Sequence, residues 1–215
     1  MKVPAIFLCL LAFLTSVSQV NVKSLSRAEK WWAFKYPFAA KKAKKISVEV
    51  IEYCNALAQK DSFCGSDLNG GKLDAYRHTY WMARLCEVMK PRKAYSLGFA
   101  HEKGNRQYFK KHKEEDGVMP DSMMTVMDLV NNQIGIEVGT WLAWNPSSGE
   151  YSIEKTRQVV MERLKTGDLR ILLKDEDGNF RTCDKKKIDM NKYKGKWNVP
   201  KCLVKSSTTL RQAQD

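Results

Sequence analysis

Beyond its first residues this chain has no apolar run long enough to cross a bilayer, which excludes a protein anchored by several membrane helices. It has no internal repeat. No serine, cysteine or threonine sits in a recognisable nucleophile motif, so nothing supports covalent catalysis. No recognisable nucleic-acid-binding motif frames its basic residues. Histidine is scarce, with three in 215 residues, and acidic side chains are outnumbered 24 to 37, leaving a formal charge of +13.

That excess of positive charge implies attraction to an anionic polymer, a phospholipid or a nucleic acid; the alternative is a basic surface that serves solubility alone. Aromatics interleave with lysines from Lys192 to Trp197. At the start, Lys2, the apolar run Ile6 to Leu14 and the small residues Ser16-Val17-Ser18 read as a signal peptide over residues 1–18. The expected location is secreted or periplasmic, the alternative an uncleaved anchor. Cys9 lies inside the apolar run, which argues against a lipid-modified cysteine. In an exported chain some of the other five cysteines should pair. Spacing favours Cys54 with Cys64 and Cys183 with Cys202, leaving Cys86 as a buried, inert thiol; the alternative, in a reducing compartment, is five free thiols.

The expected fold is mainly α: a single helical domain of about six helices over residues 19–167, then a basic C-terminal appendage, 168–215, with a small β-hairpin. Ser26 and Glu29 form a capping-box pattern ahead of Trp31-Trp32. Helical spacing covers Phe38 to Lys60, and a glycine-rich loop follows to Gly71. Further helices run through Leu73–Leu85, from Arg92 to about His112 with Gly104 as a possible break, and from Asp121 or Ser122 to about Trp144. Asn145 to Gly149 reads as a break, and Ser152 caps a last helix. Leu169 to Leu173, the turn Asp175–Gly178 and Asn179 to Thr182 read as the hairpin. The tail from Ser206 is expected to fray.

Three apolar helices carry polar residues that burial alone does not explain. The first places Asp74, Arg77 and His78 within one turn among Leu73, Tyr76, Tyr80, Trp81 and Leu85. The second carries His101 and Glu102 after Leu97, Phe99 and Ala100. The third puts Asp128, Asn131, Asn132 and Gly135 on one face, at i, i+3, i+4 and i+7. A buried charge is costly unless paired or bound to a metal. Asp74 and His78, at i and i+4, present two ligands to one ion, and His101 and Asp128 complete a nitrogen and oxygen set suited to zinc, manganese or iron. Arg77 can neutralise a phosphate, Glu102 can take a proton from water, and Asn131 and Asn132 can orient water or substrate. Without a metal, His78 or His101 acts as general base with a carboxylate to orient it. The structural alternative is a satisfied buried network in tight helix packing. His112, in a lysine-rich run, is read as solvated.

The segments NGGKLDAYRHTYWMARL, LGFAHE and MDLVNNQIGIEVG resemble a helical bacterial domain of unassigned function, marked by D-A-x-R-H, H-E and M-D-x-x-N-N-x-x-G. That domain occurs in exported proteins and in polymorphic-toxin-like proteins. The resemblance implies that Asp74, Arg77, His78, His101, Glu102, Asp128, Asn131 and Asn132 share one site. A weaker likeness, in the order His78, His101-Glu102, Asp128, is to metal-dependent HD phosphohydrolases; this chain has glutamate where that family has aspartate after histidine. Two functions follow as expectations. One is an exported hydrolase of a phosphate ester in a phospholipid, nucleotide or nucleic acid, with or without a metal, for which a toxin-like effector is one setting. The other is a non-enzymatic envelope or surface-binding protein that uses its basic face.

Overall fold

The computed structural model describes residues 25–114, 117–144 and 152–208. The expected signal peptide, the break at Asn145 to Gly149 and the end of the tail lie outside the described residues. Among the described residues there are six α-helices: α1 (Arg27–Lys35), α2 (Pro37–Lys60), α3 (Lys72–Val88), α4 (Pro91–Lys110), α5 (Ser122–Trp144) and α6 (Ile153–Thr166). The short strands β1 (Arg170–Leu172) and β2 (Leu203–Lys205) pair antiparallel, with Ile171 opposite Val204.

The helix boundaries follow from local chemistry. Ser26 Oγ accepts from Glu29 N at 3.2 Å while Glu29 Oε2 accepts from Ser26 N at 2.8 Å, so the capping box forms. Prolines stand at the start of α2 and α4, where no N–H is needed. Asp121 Oδ1 caps α5 by accepting from Met123 N and Met124 N. Ser152 caps α6, which ends at Gly167 with φ 88°. Gly104 does not break α4; it lets Ser26 approach the helix closely.

The core is built around α3, twelve of whose 17 residues are buried. It packs against α2, α4, α5, α6 and β1. Tyr76, Tyr80, Leu73, Met82 and Leu85 are fully enclosed, and each such side chain contributes roughly 1.5–3 kcal/mol. On the flank facing α2, buried Arg84 is held by Glu49 at 2.9 Å and by Glu87.

The appendage differs from its expected form. The turn at Asp175–Gly178 does form, closed by a bridge between Lys174 and Phe180. The regular partner of β1 is β2, not the segment after the turn. Cys183 and Cys202 form the expected disulfide, with Cα atoms 4.7 Å apart. Backbone bonds from Cys202 N to Arg181 and from Leu173 N to Cys202 then set β2 beside β1. Nor does the tail fray at Ser206, which is fully buried and donates to Leu164 O at 2.6 Å.

The second expected disulfide is corrected. Cys54 and Cys64 are separate, buried thiols. Cys54 continues the inward face of α2 below Ala43, Ile46 and Val50, whereas the Cys64 backbone is clasped by Asp61 Oδ1 in the turn beyond the helix. Burial pushes the Cys54 thiol up to about 12 and the Cys64 thiol to about 11, so neither is a ready thiolate. Cys86 is buried and unpaired, as expected, with its thiol raised by burial to about 11.

Candidate functional site: a buried histidine–carboxylate cluster

Two glycines bring α5 onto α3. A methyl group at Gly135 would overlap the carbonyl oxygen of Thr79, and one at Gly139 would overlap that of Ala83. Backbone therefore lies against backbone, and the preceding turns of α5 carry Asn132 and Asp128 to His78.

His78 Nδ1 lies 3.2 Å from Asn132 Oδ1. An amide oxygen only accepts, so Nδ1 is the donor of this pair and Nε2 is the nitrogen turned toward the carboxylates. Nε2 stands 3.6 Å from Asp74 Oδ1 and 3.6 Å from Asp128 Oδ1. That is too long for hydrogen bonds. It is close to the ligand-to-ligand edge, about 3.4 Å, of a tetrahedron with metal bonds of about 2.1 Å. Asp74 is fixed from two further sides, by Gly70 N at 2.8 Å and by Arg77 Nη2 at 2.7 Å.

The second histidine arrives from α4. Its ring centre is 6.0 Å from that of His78, and Trp81 packs edge-on against both rings. His101 Nδ1 is 3.0 Å from Glu29 Oε1. Burial alone would raise the Glu29 carboxyl, but its bonds to His101 and Ser26 outweigh this and hold it at about 2. An ionised carboxylate on Nδ1 fixes the ring's orientation and makes Nε2 the more basic nitrogen, a common arrangement behind metal-binding histidines. Glu102 is buried beside it, accepting from Asn105 Nδ2 at 3.2 Å.

Ligand atoms of Asp74, His78 and Asp128 all lie within 4.8 Å of one another, and so do those of His78, His101 and Glu102. The two triads share His78. Buried Asn132 Nδ2 has no hydrogen-bond partner among the described residues. Arg77 and His101, with side chains 20% and 24% exposed, form the open edge.

Of the residues expected at the site, Asn131 is not part of the cluster. Its Nδ2 donates to Arg170 O at 2.8 Å and its Oδ1 accepts from Arg170 N at 2.9 Å, so it secures β1. His112 is exposed, in the turn just beyond the end of α4. Glu29 is the participant that sequence reasoning missed as a site residue, because the capping box already accounted for it.

The fold and cluster define an α-helical domain with two histidines and several carboxylates gathered on three packed helices. Residues 30–167 match the family described as "Domain of unknown function (DUF6973)", and the chain belongs to that family. The match ends where α6 is capped and contains every cluster residue named here except Glu29. Comparison with curated proteins and with solved structures finds no match.

Proposed function

We propose that this domain is an exported, metal-assisted hydrolase of phosphate esters. The observation that carries the reading is the spacing around His78 Nε2, where two carboxylate oxygens stand at 3.6 Å. Asp74, His78 and Asp128 would hold a divalent ion such as zinc, manganese or iron, with His101 completing the set from the neighbouring triad that shares His78. Such an ion supplies Lewis acidity and a water that ionises near neutral pH. Glu102 would accept the proton of the attacking water. Arg77 and the Asn132 amide receive the phosphoryl oxygens. The water oxygen bonds to phosphorus, the P–O bond to the alcohol breaks, and the proton held on Glu102 passes to the departing alkoxide.

The Cys183–Cys202 disulfide and the apolar leader support an extracytoplasmic location. The motif resemblance supports a toxin-like effector as the setting. A second reading, a non-enzymatic binding protein with a structural polar network, is favoured by Asn131, a residue of the same motif that serves only packing and strand anchoring.

Turnover on a panel of phosphomonoesters, phosphodiesters and phospholipids, with zinc, manganese or iron(II) and with chelator, tests the proposal. Glu102→Gln should retain metal and lose on the order of 100-fold or more in kcat. No turnover across the panel by metal-loaded wild-type protein would leave the binding reading.

A further inference from the structure

Tryptophans 31 and 32 face opposite ways. Trp32 is buried, and its Nε1 donates to Ser96 Oγ at 2.8 Å. Trp31 is 63% exposed, Phe34 80% and Phe38 87%. One exposed aromatic needs no explanation; three within eight residues of chain, at the corner where α1 turns into α2, form a patch. The Trp31 and Phe34 rings meet edge to face at 5.8 Å. Beyond the corner, Phe38 lines a groove with Lys42, Lys90, Lys93 and Trp144. Lys35 and Lys93 approach the ring of Tyr36 from α1 and α4, at 5.4 and 5.2 Å, which joins the aromatic corner to the groove.

The exposed charge around this patch is positive: Glu87, the one acid lining the groove, is a mostly buried side chain paired with Arg84. Seven basic residues lie between positions 27 and 45, all exposed. The one acid in that stretch, Glu29, is turned inward to His101. Exposed tryptophan and phenylalanine ringed by lysine suit a boundary between a negatively charged surface and an apolar interior. A nucleic acid would need parallel ring faces for base stacking, and Trp31 and Phe34 stand at 89° to each other.

We propose that the α1–α2 corner docks this protein on an anionic phospholipid bilayer. Trp31, Phe34 and Phe38 enter the interface, and Lys35, Lys41, Lys42 and Lys45 meet the headgroups. The opposite face of α1 presents Glu29 to His101, so docking sets the bilayer within about one helix diameter, roughly 10 Å, of the cluster. The consequence that a phospholipid headgroup is the substrate rests on the hydrolase reading above.

Cosedimentation of the full chain tests the docking, with vesicles of phosphatidylcholine alone or mixed with phosphatidylglycerol. Binding should require the anionic lipid and weaken with salt. The variant W31A/F34A/F38A should melt like wild type and bind on the order of tenfold or more weakly. K41Q/K42Q/K45Q should lose about fivefold per charge removed. Unchanged binding by the aromatic variant would overturn the docking, as would tighter binding to single-stranded DNA that depends on the same residues. Hydrolysis of a soluble phosphodiester, run in parallel on wild type, separates the two proposals. Turnover without vesicle binding overturns the docking alone; vesicle binding with no turnover on any substrate upholds the docking and overturns the hydrolase.

Discussion

Asn131 and Asn132 are neighbours of identical chemistry with different work, and the difference is measurable. Asn131 satisfies both backbone groups of Arg170, so Asn131→Ala should cost about 2–4 kcal/mol in denaturant unfolding while metal retention is kept. Asn132→Ala should cost less stability and loosen His78 instead, lowering metal affinity on the order of 10- to 100-fold by titration. Helical periodicity put both residues on one side of α5 but could not decide between neighbours 100° apart. Asp74, His78 and Asp128 were legible because charge in an apolar helix demands a partner. Glu29 was not, since its cap bond to Ser26 is local while its bond to His101 spans 72 positions. Its carboxyl falls from an ordinary 4.5 to about 2, so its contribution to stability is full above pH 4.5 and is lost as pH falls toward 2. Glu29→Gln should flatten that part of the melting-temperature profile; an unchanged slope would remove Glu29 as its source.

At the scale of elements, the contact between α3 and α5 decides the site. Gly135→Ala must push α5 away from the Thr79 carbonyl, at a cost of about 1–3 kcal/mol in unfolding. It should also move Asp128 and Asn132 off His78 and lower metal retention, whereas a variant that melts and binds like wild type would show the packing to be loose. Six helices were readable from caps, prolines and apolar spacing, since these signals lie within a few residues of each helix end. The partner of β1 was not, because Leu203–Lys205 reaches it through a disulfide and a loop rather than a local turn. Proximity in sequence likewise misled for Cys54 and Cys64: ten positions permit a bond, but Cys54 lies on the buried face of α2, Cys64 is held in the Asp61 turn, and both are free thiols.

At the scale of the whole molecule, the appendage is part of the body. Leu169 and Leu172 join the central core, and Ser206 is sealed against α6. Cys183→Ser with Cys202→Ser opens a loop spanning 19 positions and should cost about 3 kcal/mol, read as a lower denaturation midpoint that reducing agent reproduces in wild type. The positive charge was legible as composition, but the face that gathers aromatics with it became visible only once α1 and α2 were folded. The central claim, that three helices converge to hold a metal at His78, is tested most directly by metal stoichiometry beside thermal melting. Wild-type protein equilibrated with zinc, manganese or iron(II) and desalted should retain at least one ion per chain. His78→Ala should retain none and melt, metal-free, within a few degrees of metal-free wild type. Wild-type protein that retains no ion, or a His78→Ala variant that binds as well as wild type, would contradict the account.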